Sequence, residues 1–541
     1  MKAFGMMKVV FKIYIPYLIV MIAVFVMLTY TDMVSKFSSI ALEYFCIFTS
    51  LFVFKKNYRG IIWTLVVGIL GAQISSLYTS GNYVIPLTLS NVGEYNALGF
   101  ELLFKLLCIS LLFLCVALII FSPVFTYDIP RRKTFLLALL SLPLINGPLV
   151  KFTETLYFYY KQVTFSPAYN YPAIAKKFLK TDIWYDESLL LKNKKPNVIV
   201  IFTEGMSFNV IDSVNNLGLG VTPKLDEIMK KSFFFINYYN HTAATFRGLR
   251  GQLTSAYQFK DGVGANGDGF FEITNQKVKS IYNKRLVSLP EILNSNGYKT
   301  IFLSSTEKTS TLNAMLKTLS FNEVLGMGDF DFYQNDRMSD KQTFIALKEV
   351  VERNKNNKFF IGVYPSGTHH GLDSPDLRFK DGSNSYYNKF YNFDHQVGEF
   401  IDYLTSTGLI NNTLVVITAD HSTFPTPQFN KSFSSNSDYF VDAIPLIILG
   451  AGIESKKNNA HGKNSLALAP TILNLLNINH YPNFFLGCSL LDEKCQSTFS
   501  HISAIGNSFF KTGEKKCSSD DYNVKKLDNS SDIINFYNVS G

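Results

Sequence analysis

The chain has 541 residues, of which 47% are hydrophobic, and its formal net charge at pH 7 is +9. It is too long for one compact domain, and its basic excess suits nucleic acid or an anionic lipid surface as a partner. We discount nucleic acid because no basic stripe with interleaved aromatic residues stands out in the second half of the chain.

Long apolar runs dominate the first part of the chain. Five of these runs, each roughly 17–21 residues, are about as long as a hydrocarbon core of ~30 Å requires. They predict a transmembrane domain over residues 1–151, with helices near 13–30, 37–54, 60–79, 102–122 and 134–150. The first run is followed by no clear small-residue cleavage site, so we interpret it as a span and not as a signal peptide.

The basic residues predict the orientation of these spans. Lysines precede the first span, and basic clusters lie at 55–59 and 131–133, whereas the loop at 80–99 has neither Lys nor Arg. By the positive-inside rule the N-terminus is cytoplasmic. An odd number of spans then places the rest of the chain in the periplasm or outside the cell.

Two features of this region leave alternatives open. Glu43 falls inside the second span, where a carboxylate is either functional or a partnered structural residue. Residues 152–196 mix tyrosines with lysines, which is typical of an interfacial linker at the headgroup level but also fits a plain surface linker.

Cysteine usage decides little. Cys46, Cys108 and Cys115 lie in apolar spans and are most simply interpreted as buried thiols. A bridge between Cys488 and Cys495 would leave Cys517 over, and the spacing alone does not decide whether it forms.

From residue 197 to 541 the pattern is that of a soluble domain. Strand-like runs at 197–203, 233–239, 359–364, 413–418 and 443–450 alternate with helical patterns at 222–232, 340–354 and 394–409, and residues 286–305 read as helix, glycine stop and strand. This alternation predicts an α/β fold around a mostly parallel sheet. Beyond about residue 495 we expect a small subdomain or an irregular cap.

Polar residues follow several of these strands. Glu204 comes directly after one apolar strand, and Asp420 and His421 come after another. Together with the hydroxyl of Thr245, at a predicted helix entrance, they form a ligand set suited to Zn²⁺ or Mn²⁺. A metal bound to Thr245 would make its alkoxide available as a nucleophile.

Phosphate is the substrate group that this arrangement favours. A helix N-terminus beneath Thr245 attracts anions, and Arg247 and Arg250 are close enough in sequence to assist with phosphate charge. Each residue alone also fits an ordinary loop or turn, so the hypothesis depends on their occurring together. Thr242 is the main rival to Thr245 as the nucleophile.

The motifs FTEG, HTAATFRG, THH and TADHS, in this order after five spans, resemble the sulfatase-fold lipid headgroup transferases. That family includes lipoteichoic acid synthase, lipid A phosphoethanolamine transferases and glucan phosphoglycerol transferases, and the TxxG and THH motifs look most like the last branch. The resemblance implies a sulfatase/alkaline-phosphatase-like domain, metal ligands at Glu204, Thr245, Asp420 and His421, and substrate-phosphate or proton-transfer roles for His369 and His370. It also implies a bacterial inner membrane with a periplasmic or extracytoplasmic catalytic domain.

Two departures narrow the resemblance. Where arylsulfatases carry a Cys or Ser that matures to formylglycine, this chain has TFRGL, so hydrolysis of sulfate esters is not expected. The three cysteines in the second half cannot form the several disulfides of the lipid A enzymes.

The activity implied by the resemblance is a two-step transfer. Thr245 takes a phosphoglycerol or phosphoethanolamine headgroup from phosphatidylglycerol or phosphatidylethanolamine, and a glycan or glycolipid hydroxyl then accepts it from the phosphothreonine. Two alternatives stay open: a phosphodiesterase or phosphatase of the same fold, and an inactive sensor or assembly protein.

Overall fold

The computed structural model describes residues 2–85, 88–89, 100–119, 146–164, 178–180, 188, 190–192, 195–258, 286–332, 337–506, 508–515, 522–528 and 530–540. The chain divides into two compact units. The first comprises Met1–Leu89, Tyr95–Lys161 and Pro425–Asn430, and the second comprises Ser90–Glu94, Gln162–Phe424 and Lys431–Gly541. The predicted domain boundaries after residues 151 and 196 stay predictions.

The first unit is built from helices. They are α1 (Lys2–Tyr30), α2 (Phe37–Ser50), α3 (Lys56–Ser80), α4 (Phe100–Ile119) and α5 (Pro148–Thr164). Three stretches are long and apolar enough to cross a membrane, Lys12–Tyr30, Val34–Val53 and Lys56–Ser80, and they coincide with the first three predicted spans. Helix α4 overlaps the fourth predicted span, and its apolar stretch is Leu102–Val116. The fifth predicted span covers residues 134–150, and its part up to residue 145 lies outside the described residues.

Both faces of these helices are apolar. Val24, Phe48, Trp63 and Phe113 belong to one buried cluster. Many outward positions, such as Ile22 and Leu65, are also large and hydrophobic. Helices that are apolar all round belong in a bilayer or a large core, so this unit fits a membrane. The prediction of buried thiols is confirmed for Cys46 but wrong for Cys108 and Cys115, which are exposed on α4.

Glu43 has a structural role. Its carboxylate is fully buried and accepts hydrogen bonds from the backbone N–H groups of Gly147, Leu149 and Val150, at 2.9–3.1 Å. These donors lie at the start of α5, where the first N–H groups of a helix have no partner within the helix. These contacts favour the interpretation of Glu43 as a partnered structural residue over a functional one, because its carboxylate caps α5.

The second unit contains the predicted sheet. Its strands are β1 (Asn197–Thr203), β2 (Phe233–Ile236), β3 (Lys299–Glu307), β4 (Glu323–Met327), β5 (Phe359–Tyr364), β6 (Thr413–Ala419), β7 (Leu446–Gly450) and β8 (Lys456–Asn459). Among the described residues these eight strands form one sheet in the order β4-β3-β5-β1-β6-β7-β2-β8. Strand β7 pairs antiparallel with both neighbours, and the other pairs are parallel. The mostly parallel α/β fold is confirmed.

Helices surround this sheet. They are α6 (Asp212–Asn215), α7 (Pro223–Lys230), α8 (Thr245–Thr254), α9 (Leu289–Ser295), α10 (Thr311–Lys317), α11 (Asp340–Asn354), α12 (Ser385–Ser406) and α14 (Leu468–Leu475). Helix α13 (Pro427–Phe433) begins in the segment that belongs to the first unit. Because helices cover both faces, every residue of β1, β5 and β6 is buried, as their continuous apolar sequences predict.

The largest difference from the predicted elements is at α12. It begins at Ser385 and not at residue 394, because the Asn384 side chain accepts from the N–H groups of Tyr386 and Tyr387 and caps an earlier start. Aromatic and polar residues in this first part hide the helical period from a sequence reading.

The C-terminal part is a small subdomain and not an irregular cap. Strands β9 (Ile502–Ile505), β10 (Ser508–Lys515) and β11 (Tyr522–Leu527) form an antiparallel sheet, followed by α15 (Ser531–Ser540). Cys488 and Cys495 are joined by a disulfide, which the sequence left open, and Cys517 lies outside the described residues.

Candidate active site

The order of the central strands brings the predicted residues together. Strands β5, β1 and β6 are neighbours and run parallel, so their carboxyl ends lie at one edge of the sheet. Glu204 follows β1, the THH motif follows β5, and Asp420 and His421 follow β6. In open α/β sheets this edge is where ligands bind.

Thr245 is the first residue of α8, as predicted. Its hydroxyl donates to Glu204 Oε2 at 3.0 Å and lies 3.3 Å from the hydroxyl of Tyr364. Ala244, just before the helix, has a φ of +73°, a conformation that an alanine rarely adopts. Such strain concentrates where a backbone must present a functional group, which fits a nucleophile at this position.

Helix α8 approaches the end of β6 closely, which explains the glycine of the TxxG motif. A Cβ atom at Gly248 would lie 2.3 Å from the carbonyl oxygen of Asp420. Beside it, the Gln252 amide donates to the carbonyls of Ala419 and Asp420 at 2.9 and 3.1 Å. The helix carrying Thr245 is therefore held against the loop carrying Asp420 and His421.

The rival threonine is held elsewhere. Thr242 is buried, and its hydroxyl donates to the carbonyl oxygen of Ala504 in β9 at 2.8 Å. The amide of Ala504 donates back to the carbonyl of His241 at 2.8 Å. Thr242 thus joins its loop to the C-terminal sheet, whereas Thr245 contacts the carboxylate.

Glu204, Asp420 and His421 form a compact buried group. One ligand atom from each lies within 4.8 Å of the others. His421 Nε2 is 3.3 Å from Glu204 Oε1 and 3.6 Å from Asp420 Oδ2. Asp420 Oδ1 accepts from the N–H groups of Gly205 and His421 at 2.8 and 2.7 Å. Its other oxygen, Oδ2, is buried and has no hydrogen-bond partner in the described part of the chain.

The charges of this group are strongly coupled. Burial alone would raise the pKa of Glu204, but the hydrogen bond and charge of His421 outweigh burial and hold that pKa well below its usual range. Burial, followed by the charge of Glu204, raises the pKa of Asp420 to about 8. Burial alone would lower the pKa of His421, whereas Asp420 and Glu204 raise it to about 9. The raised pKa values of Asp420 and His421 mean that protonation offsets the negative charge of this group when no cation is bound.

The arrangement fits a divalent cation. His421 Nδ1 lies 2.7 Å from the carbonyl of Ser422, which accepts only if Nδ1 carries the proton. In the neutral ring the lone pair of Nε2 then faces two carboxylate oxygens, an arrangement that is repulsive unless a cation or a proton lies among them. The unpartnered Oδ2 of Asp420 faces the same place, so these three residues are suited to hold a metal ion.

His369 and His370 lie in the loop after β5. Thr368 ties this loop to β1, since its hydroxyl donates to the carbonyl of Glu204. His369 Nδ1 is 2.8 Å from the carbonyl of His370, which leaves Nε2 of the neutral ring as a proton acceptor. Burial lowers the pKa of His369, and burial followed by the charge of Lys389 lowers the pKa of His370 to about 3. Both imidazoles are thus kept neutral.

Sequence reasoning missed three neighbours of the predicted residues. Tyr364, the last residue of β5, donates to Glu204, and its hydroxyl lies beside Thr245. Phe424 stacks on His421 with ring centroids 5.3 Å apart and lies 5.8 Å from His370. Lys389 is buried in α12 and donates to the carbonyl of His369. The strand-end position of Tyr364 was a usable signal, whereas the contact of Lys389 depends on tertiary packing.

Arg247 and Arg250 are carried by α8 and are both buried. Their positions two and five residues after Thr245 keep them on the helix that carries it. That they bind phosphate stays a prediction.

Comparison with known proteins agrees with this geometry. Residues 196–478 match the sulfatase family. Lipoteichoic acid synthase 2 of Bacillus subtilis (strain 168) is 23% identical over 335 residues, covering 56% of this chain and 48% of that protein. The chain therefore matches about half the length of this curated relative.

Two solved structures share the fold. A protein of the alkaline phosphatase superfamily from Vibrio parahaemolyticus is 18% identical with a TM-score of 0.51, covering 70% of this chain and 96% of that one. The lipoteichoic acid synthase LtaP from Listeria monocytogenes is 17% identical with a TM-score of 0.51, covering 68% and 95%. At these identities the likeness shows the fold alone.

Proposed function

We propose, from the premise that this chain belongs to the sulfatase family, that it transfers a phospholipid headgroup to a cell-envelope glycan or glycolipid. The headgroup is phosphoglycerol or phosphoethanolamine, carried on Thr245 as a phosphothreonine. One observation carries the proposal. Thr245 is the first residue of a helix, and its hydroxyl donates to Glu204 in a buried group of two carboxylates and a histidine. The relative named a lipoteichoic acid synthase supports it.

In the first step Thr245 Oγ1 forms a bond to phosphorus, and the bond between phosphorus and the diacylglycerol oxygen breaks. Glu204 Oε2 accepts the hydrogen bond of the Thr245 hydroxyl and so receives its proton as the new bond forms. The leaving oxygen gains a proton from His369 or His370, in the loop tied to Glu204 by Thr368. The imidazole that gives this proton takes it up when the anionic substrate binds, because a nearby negative charge raises the pKa of an imidazole. The N-terminus of α8 favours the anionic phosphodiester beside Thr245.

In the second step an acceptor hydroxyl forms the new bond to phosphorus, and the bond to Thr245 Oγ1 breaks. The acceptor proton passes to the imidazole that gave up its proton in the first step, and Thr245 Oγ1 regains its proton from Glu204. His369 is suited to this role because its Nδ1 lies on a carbonyl, which leaves Nε2 as the base.

Glu204, Thr245, Asp420 and His421 would hold a divalent ion, Zn²⁺ or Mn²⁺. When bound, such an ion lowers the pKa of a coordinated hydroxyl and neutralises charge on phosphoryl oxygens. The unpartnered Oδ2 of Asp420 supports this assignment.

A donor that is a membrane lipid gives a reason for the apolar helices of the first unit, which we call the membrane unit. Stretches able to cross a bilayer occur at Lys12–Tyr30, Val34–Val53 and Lys56–Ser80. We place the protein in the bacterial inner membrane with residues 197–541 outside the cytoplasm. The transmembrane domain then covers residues 1–151, and residues 152–196 form the interfacial linker. The donor is phosphatidylglycerol or phosphatidylethanolamine.

Thr245→Ala tests the proposal. The variant should lose transfer from labelled phospholipid by at least about a thousandfold, because no other group replaces the nucleophile. Peptide mass spectrometry of the wild-type protein, supplied with lipid, should find a phosphoglycerol or phosphoethanolamine adduct on Thr245. Retained transfer in Thr245→Ala contradicts the nucleophile assignment.

Thr242→Ala is the matched control. It removes a hydroxyl three residues away that bonds to Ala504, so it should lower stability by about 1 kcal/mol and leave the adduct in place. If the products are free glycerophosphate or phosphoethanolamine and no modified glycan, water is the acceptor and the protein is a phosphodiesterase of the same fold.

A further inference from the structure

Lys389 is a buried cation whose partners are neutral. It lies on α12 with 2% of its surface exposed. Its ammonium nitrogen is 3.2 Å from the carbonyl oxygen of His369 and 4.1 Å from the centre of the Tyr386 ring. In the described part of the chain, no carboxylate forms an ion pair with it.

Such a lysine is costly for a folded protein. Lysine is almost never fully buried unless it is paired with a negative charge. Its ammonium has three N–H donors, and the carbonyl of His369 uses one of them. The ring of Tyr386 stabilises the charge but offers no ordinary acceptor. Burial accordingly lowers the pKa of Lys389 to about 7, and Glu204 and Asp373 oppose this.

The position of Lys389 links it to the candidate active site. The carbonyl that it contacts belongs to the loop whose Thr368 donates to Glu204. The charge of Lys389 acts on both imidazoles of this loop and on Glu204. An anion bound beside Thr245 would therefore lie within the field of a cation that has no anionic partner among the described residues.

We propose that the Lys389 ammonium binds a non-bridging oxygen of the phosphate ester in the site while it holds the carbonyl of His369. The inference rests on the proposed function only in taking the ligand to be a phosphate ester. Lys389 is then a substrate-binding residue, because one group both fixes the histidine loop and compensates the negative charge of the ligand.

Binding of inorganic phosphate tests this without any transfer assay. The full-length protein in detergent micelles, loaded with Mn²⁺, is titrated calorimetrically with phosphate. Lys389→Gln removes the charge but keeps a donor for the carbonyl of His369, and it should weaken phosphate binding by about ten- to a hundredfold. Lys389→Arg restores the charge and should recover part of the affinity.

The matched control is Lys348→Gln, since Lys348 lies over the ring of Tyr403 in a similar lysine–tyrosine pair on α11. This variant should bind phosphate like the wild type. Wild-type affinity in Lys389→Gln would overturn the proposal. So would equal losses in Lys389→Gln and Lys389→Arg together with equally lowered melting temperatures, which would show a structural role.

A second measurement uses the wild type alone and does not depend on the folding of a variant. Bound phosphate should slow acylation of Lys389, followed by peptide mass spectrometry, and leave Lys348 unaffected. Unchanged acylation of Lys389 overturns the proposal. If phosphate binding depends on Lys389 but labelled phospholipid yields no transfer, the proposed function fails and the inference about Lys389 stands.

Discussion

At the scale of single residues, the two carboxylate oxygens of Asp420 have different contacts. Oδ1 accepts two backbone N–H groups, which fixes the loop after β6. Oδ2 is buried without a hydrogen-bond partner. A buried, unsatisfied carboxylate oxygen costs roughly 1–3 kcal/mol or more. A cation held by this oxygen would offset that cost.

Metal removal tests this account of Asp420. We expect the purified protein to contain about one divalent ion, and we expect Asp420→Asn to lose it, because the amide presents no negative charge. Removal by a chelator should lower the melting temperature of the wild type, since an ion at a hundredfold its dissociation constant stabilises the fold by about 2.7 kcal/mol.

The readouts are elemental analysis and thermal unfolding in micelles. Asp402→Asn is the control, because Asp402 is an exposed carboxylate on α12. Equal metal content in Asp420→Asn and the wild type would contradict the assignment.

At the scale of elements, several contacts that hold helices against their neighbours lie at or near helix ends. Gly248 allows α8 to approach the carbonyl of Asp420, and Gln252 then bonds to the end of β6. In the membrane unit, Gln73 of α3 donates to the carbonyl of Pro148 at 2.7 Å, and Glu43 of α2 caps the first turn of α5. A carboxylate at a helix N-terminus also interacts favourably with the helix dipole.

Glu43→Ala should destabilise the membrane unit. Three N–H groups, one of them fully buried, would lose their acceptor, so we expect a loss of at least about 2 kcal/mol, more than an exposed cap contributes. Faster proteolysis near residues 146–150 and a lower melting temperature in micelles would show it.

Glu154→Ala is the comparison variant for this cap. Glu154 is an exposed residue of α5 paired with Lys151, and such pairs contribute little. The capping role is wrong if the two variants behave alike.

At the scale of the whole molecule, the disulfide and the basic residues predict the same compartment for the second unit. Disulfides persist in oxidising environments, and the bridge between Cys488 and Cys495 belongs to the second unit. By the positive-inside rule, the five spans predicted from the sequence place that unit on the same side, as an expectation. The two lines are independent, since one comes from loop charges and the other from a covalent bond.

Loss of this bridge should lower stability. The cysteines are seven residues apart, and a loop of this size contributes about 2–3 kcal/mol in the chain-entropy description. We expect Cys488→Ser to lower the melting temperature in micelles, and a reductant to lower that of the wild type equally.

Cys108→Ser is the control, because Cys108 is a free, exposed thiol. A reductant should have no further effect on Cys488→Ser. If Cys488→Ser melts like the wild type, the bridge does not contribute to the stability of the fold.

The sequence by itself determined the α/β class, the positions of the central strands and the motif residues at their ends. It could do so because these features are local: a doubly buried strand needs a continuous apolar run, and a polar residue directly after it stands out. Apolar runs of bilayer length are equally local, and the structure has the first three.

Only the tertiary structure decided which of these residues meet. The order β5-β1-β6 brings Glu204, Asp420 and the histidine loop to one edge, and α8 turns Thr245 and not Thr242 toward the carboxylate. It also showed the partners of Glu43, the contact of Lys389 with His369 and the disulfide between Cys488 and Cys495. Most of these contacts join residues far apart in the chain, and neither periodicity nor composition records which distant residues pack together.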